Sequence, residues 1–176
     1  GSILTMLKKV IKIIAGLLGA ICLLIFVAAG WYVYNFYPRH AHEFQIGSPQ
    51  ATQKILIATQ GSEFKNDVVE RVVALYENQD AYLRIIDVST LETITLEQWD
   101  GIAILNTSLA DNIDSDVKHF LKRAGKSDLI LLITTSGGGD FVPPDLHVDG
   151  ITTASRLTET ELLARRIYQK FKASKI

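Results

Sequence analysis

Residues 54–64 read KILIATQGSEF. An unbroken apolar run over 55–59 passes into a polar turn at Gly61. A segment follows in which Val68, Val69, Val72, Val73 and Leu75 recur at helical spacing. A continuous apolar run of that length is expected of a strand covered on both faces, not of one with a wet side. A strand that breaks at glycine or serine into a helix is also how open α/β sheets build an anion site, because the first helical N–H groups point back at the turn. The same turn serves equally as plain connection, with Ser62 capping the helix. Both readings stand at this stage.

Outward from this stretch the pattern repeats. Residues 82–88 are strand-like, 99–105 (WDGIAIL) form a third apolar run and 129–134 (LILLIT) a fourth. Val117, Phe120 and Leu121 give an amphipathic helix ending at Gly125. Apolar runs alternating with helices imply a parallel sheet with right-handed crossovers, hence an α/β three-layer sandwich over 54–176. Two crossovers are short: between Val88 and Trp99 there is room for one turn of helix, and 136–158 carries three consecutive glycines and Pro143–Pro144. A short fifth strand is expected near 147–152. The last helix is capped by Thr158 and Glu161 at capping-box spacing. Leu162, Leu163, Ile167, Tyr168 and Phe171 form its apolar stripe, and Arg165, Arg166, Lys170 and Lys172 suit its C-terminal dipole and solvent.

Ahead of this domain, residues 13–37 contain no charged side chain. At about 1.5 Å per residue they exceed the roughly 30 Å hydrocarbon thickness of a bilayer, so one transmembrane helix is expected there. Lys8, Lys9 and Lys12 precede it, while Trp31, Tyr32, Tyr34, Phe36 and Tyr37 cluster at its far end. This places residues 1–12 in the cytoplasm and the C-terminal domain outside a cytoplasmic membrane. A secretory signal is the competing reading, but the run is longer than a signal's apolar region of about 7–15 residues. Native chain is expected from Met6, with residues 1–5 appended. Cys22 lies in the span and reads as a buried apolar thiol, leaving no disulfide scaffold for the domain. Residues 38–53, with Pro38, Gly47 and Pro49, read as a tether. Formal net charge is −1 with no basic run in the domain, which argues against nucleic acid. Ala15, Gly16, Gly19 and Ala20 have small-xxx-small spacing that suits close approach of another membrane helix.

The order of elements, with ILIATQGSEFKNDVV leading and LLITTSGGG fourth, resembles the flavodoxin-like fold over residues 54–174. The resemblance implies sheet order 2-1-3-4-5 and a crevice at the C-terminal ends of the first and third strands, where FMN sits. On this chain those ends are Thr59, Gln60, Gly61 and Ser62 after the first strand, and Asn106, Thr107 and Ser108 after the third. Thr135, Ser136, Gly137, Gly138 and Gly139 follow the fourth. The family's phosphate loop reads Thr-x-Thr-Gly-x-Thr. Thr59 and Gly61 fit it, whereas Gln60 replaces a hydroxyl and Glu63 sets a negative charge beside any phosphate. The family stacks its isoalloxazine on aromatic rings. Phe141 is the one aromatic these loops offer, since Trp99 begins its strand at the opposite edge. A second local resemblance lies in DGITTAS, residues 149–155. It is similar to the site where a bacterial flavin transferase attaches FMN through a phosphoester, and Ser155 would be the acceptor. A turn leading into the final helix accounts for the same residues.

His40 and His42 flank the span as a solvated pair, and His119 and His147 stand alone; no metal site and no catalytic group is expected. Two functions follow. One is a non-enzymatic accessory or interaction subunit of a membrane complex, with the crevice open to a small polar ligand. The other is an FMN-dependent electron carrier held at the outer face of the membrane. The incomplete phosphate loop favours the first.

Overall fold

The computed structural model describes residues 2–36, 39–109, 112–139 and 148–173. The chain forms two units, Gly1–Tyr37 and Pro38–Ile176.

The first unit is one helix, α1 (Ser2–Phe36). Its segment Ser2–Tyr34 is long and apolar enough to cross a membrane. The helix begins eleven residues ahead of the expected span, so Lys8, Lys9 and Lys12 lie on α1. No glycine or proline interrupts residues 2–15 to stop it.

In the second unit the elements run β1 (Phe44–Ile46), β2 (Gln53–Thr59), α2 (Glu63–Tyr76), β3 (Ala81–Asp87), two 3-10 turns (Val88–Thr93 and Leu96–Gln98) and β4 (Gly101–Thr107). They continue with α3 (Ser115–Ala124), β5 (Ile130–Thr135), β6 (Asp149–Thr153), a third 3-10 turn (Leu157–Glu159) and α4 (Thr160–Ala173). The sheet order is β1-β3-β2-β4-β5-β6. All pairings from β3 to β6 are parallel, and β1 alone runs antiparallel, against β3. Without β1 this is the 2-1-3-4-5 order that the resemblance implies.

The alternation within each strand feeds two cores, which is why the strands read as continuous apolar runs. Ile55, Ile57, Leu83, Ile85, Ala103, Leu105, Leu131 and Ile133 pack under α2 and α4. Leu56, Ala58, Ile86, Ile102, Ile104, Ile130 and Leu132 pack under α3 and the first 3-10 turn. Gly125 ends α3 with φ 65°, as expected of a helix stop.

Three expectations are corrected. The tether 38–53 contains β1: Phe44 pairs with Ile85 and Ile46 with Leu83. Three exposed residues show no periodicity, and their docking comes from distant groups: the Asp87 N–H and the Thr90 hydroxyl both donate to Glu43 Oε1, at 3.0 and 2.7 Å. At the last helix, a 3-10 turn precedes Thr160, so Thr158 is not the cap; instead the Thr160 hydroxyl donates to the Leu157 carbonyl. β4 starts at Gly101, two residues beyond Trp99, which still lies at the rim opposite the crevice.

Gly101 shows how tightly the α4 face is filled. A Cβ placed there would lie 2.4 Å from Phe171 Cδ1, and Phe171 is wholly buried. Gly101→Ala is expected to destabilise the fold by about 1–3 kcal/mol through overpacking. The double variant with Phe171→Leu should recover part of that loss in a denaturant melt, and equal stability of Gly101→Ala and wild type would refute the packing argument.

Candidate functional site

The chain reverses direction across the sheet between β3 and β4, both neighbours of β2, so the C-terminal ends of β2 and β4 border the crevice. Thr59 is level with Asp87 and Leu105, and Thr107 is level with Thr135, which is level with Thr153. The glycine-bearing bends after β2 and β5 thus share one rim with the loop after β4.

Gln60 closes the floor of this rim. Its Oε1 accepts the Thr107 N–H at 2.8 Å and its Nε2 donates to Asp114 Oδ2 at 3.2 Å. Asp114 is the N-cap of α3, accepting from the Asp116 N–H, and its own N–H donates to Asn106 Oδ1. The buried Asn106 Nδ2 has no acceptor among the described residues. Thr59 is buried, its hydroxyl turned to the Gln60 carbonyl. Ser62 caps α2 by accepting the Lys65 N–H, so the capping reading of this residue holds.

Gly61 is covered by the chain's own backbone. Residues 39–41 form a strap across it: the Gly61 N–H donates to the Arg39 carbonyl, and the Arg39 N–H donates back to the Gly61 carbonyl. A Cβ on Gly61 would lie 2.4 Å from the His40 carbonyl oxygen. Asp87, at the end of β3, holds the strap. Its carboxylate accepts from the Ala41 N–H at 2.6 Å and from the Ser89 N–H and hydroxyl, and it faces His40 Nδ1 at 3.3 Å. Burial alone would raise the Asp87 pKa; the hydrogen bonds from Ser89, Ala41 and His40 outweigh it and hold the carboxyl below its ordinary value. His42 packs on Phe44 and does not join His40.

Lys65 is the unexpected member. It lies in the first turn of α2 and is 2% exposed, with its ammonium on the Thr107 hydroxyl, which also meets the Thr135 hydroxyl at 3.4 Å. Desolvation lowers its pKa to about 8. No carboxylate pairs with it among the described residues. The signal was present in sequence: Lys65 falls three, four and seven residues before Val68, Val69 and Val72, within the apolar stripe.

On the β5 side, Ser136 Oγ accepts the Gly139 N–H, while Gly137 and Gly138 are exposed. Ser155 is exposed beyond β6, at the far edge of the rim from Gly61. In the same motif Asp149 is ion-paired with Lys170. Phe141 and His147 lie outside the described residues.

At this turn the strap, Gln60 and Glu63 all count against a bound FMN phosphate. The phosphate would need the N–H at Gly61 and open space above it, and both are taken by the strap. Gln60 has spent its amide on Thr107 and Asp114. Glu63 opens α2 with a negative charge.

No family model matches the sequence, and neither does any curated protein. Solved structures do match. One is a metal-soaked flavodiiron core from Synechocystis, with TM-score 0.53 and 12% identity, covering 72% of this chain and 36% of that one. Another is an oxidoreductase from Corynebacterium diphtheriae, with TM-score 0.51 and 13% identity, covering 71% and 97%. A flavodoxin from Archaea aligns with TM-score 0.46 at 12% identity, covering 68% and 99%. This chain spans about a third of the flavodiiron core's length. At these identities the likeness concerns the fold, which is flavodoxin-like.

Proposed function

We propose that the chain is a membrane-anchored accessory or interaction subunit of a membrane protein complex, built on a flavodoxin-like domain that does not carry flavin. The strap supports this reading: the N–H group that a bound phosphate would require is bonded to Arg39 of the same chain. The anchor is α1, with its N-terminus inside and the folded unit outside. Lys8, Lys9 and Lys12 at one end and the aromatic cluster at the other support that orientation. A domain without a flavin turn keeps its packed scaffold and exposed faces, and recruitment then rests on those faces and on α1.

An absorbance spectrum and intact mass of protein extracted from its native membrane, before and after incubation with FMN, test this. The expected result is a bare-chain mass, no flavin bands, and crosslinking to a second membrane protein. Flavin bands would establish the alternative, an FMN electron carrier at the outer face, and a mass increment of FMN at Ser155 would establish covalent attachment. A protein that always extracts as a lone monomer would refute the subunit role.

A further inference from the structure

We infer that the rim opposite the crevice carries a binding site for a small, flat aromatic anion. Between β3 and β4 the chain makes only two 3-10 turns, where the β2–β3 and β4–β5 connections are full helices, α2 and α3. Leu91 and Ile94 of that connection reach the core. At the N-terminal end of the strands a groove of about 610 Å³ is left, bounded by Pro49, Lys54, Tyr82, Arg84, Glu97 and Trp99 among others. That volume is in the range of small-molecule sites, about 300–1,000 Å³.

The lining has unspent binding capacity of one kind. Tyr82 and Trp99 stack nearly parallel, at 14° with centroids 6.1 Å apart, so a stacked aromatic pair borders the groove, the buried Trp99 backing the half-buried Tyr82. Arg84 is half-buried, yet its guanidinium makes no ion pair or hydrogen bond among the described residues, and the same holds for the Lys54 ammonium. Trp99 is 7% exposed, and its indole N–H has no acceptor among the described residues. A half-buried fork of five donors with no partner is costly unless water or a ligand serves it.

The two acids of the groove do not serve it. Asp100 Oδ2 accepts the Lys54 N–H at 2.7 Å, which ties β2 to the start of β4. Glu97 is exposed on its 3-10 turn and pairs with neither cation. An aryl carboxylate supplies both missing elements: a ring to pack against the Tyr82–Trp99 pair, and two oxygens for the Arg84 fork with Lys54 beside it. Because β4 runs away from Trp99 toward the crevice, this site is separate from the strap and Lys65.

The chain's two tryptophans are Trp31 and Trp99, so Trp31→Phe leaves Trp99 as the sole reporter. With that protein in detergent micelles, 4-nitrobenzoate is expected to quench the fluorescence saturably, and the neutral isostere 4-nitrobenzamide is not. Arg84→Gln should weaken binding about tenfold, the usual effect of losing a charge-assisted bidentate partner. Lys54→Gln should weaken it by a smaller factor, and Arg166→Gln on α4 should leave it unchanged. Unsaturable quenching, equal quenching by the amide, or full affinity in Arg84→Gln would each overturn the assignment. Should Arg84→Gln lower the melting temperature, Lys54→Gln decides, and unaltered affinity there would overturn it as well.

Discussion

Lys65→Met is expected to raise the stability of the folded unit at pH 7 by roughly 3 kcal/mol. The lysine pKa falls from 10.5 to about 8 on folding, and at about 1.36 kcal/mol per tenfold that difference is the cost of keeping the buried ammonium charged. Its one partner among the described residues, the Thr107 hydroxyl, does not offset the lost hydration. Between pH 8 and 10.5 the unfolded chain holds the proton that the folded chain has released, so stability rises with pH through that window and is flat below it. Tyr76 acts in the opposite sense. Burial, then the nearby Tyr168, raises its pKa, so above about pH 10 the unfolded chain loses a proton that the folded one keeps and stability falls. Denaturant melts at pH 7, 8, 9 and 10 isolate the lysine: wild type should gain stability across the series and Lys65→Met should not. A flat wild-type profile would remove the buried-ammonium account. A lysine held near neutrality beside a crevice is also the kind of group that functional sites favour.

Asp87→Ala should have the next largest effect, a loss of about 2–4 kcal/mol. Its carboxylate is the acceptor for the Ala41 N–H and for both donors of Ser89, and charge-assisted bonds contribute about 1.5–3 kcal/mol each when they are not fully additive. The loss should be uneven. Amides 39–46 should exchange faster by more than the global destabilisation allows, while those of β2 and β4 follow it. Because the Asp87 pKa is held below its unfolded value, the contribution is complete above the ordinary carboxylate pKa and disappears as pH falls through the folded one. Asp87→Asn keeps the shape and should lose less. Uniform exchange across the unit in Asp87→Ala would mean that Asp87 does not hold the strap in particular.

The parts of the fold that sequence revealed are those governed by burial on two faces. Residues 55–59, 82–88, 99–105 and 129–134 are predominantly apolar on both faces because helices or turns cover both cores, and all four are parallel strands within two residues of the expected bounds. Gly125 and Ser62 were legible as helix stop and helix cap, because each acts through its own backbone or its nearest turn. What stayed hidden depends on contacts 40 or more residues apart. Nothing in His40, Ala41 or Glu43 indicates that Asp87 and Thr90 will receive them. The crevice was legible as a set of loops on one rim; its occupancy was not, since Gly61 suits an anion's approach and a backbone's approach equally well. Lys65 was visible at core spacing, and its meaning emerged only with its burial and its contact with the Thr107 hydroxyl.

The strap also sets an order of assembly. Residues 39–41 leave the ribosome before Gly61 and well before Asp87, so they must wait for both acceptors to be synthesised and for β2 and β3 to align. Closing that long loop carries an entropic cost, recovered only when the parallel pairing is already in place. During translation the segment adjoining α1 is therefore the last of its neighbourhood to lock, and a nascent chain that has already released β2 would still have its first βα bend unsealed.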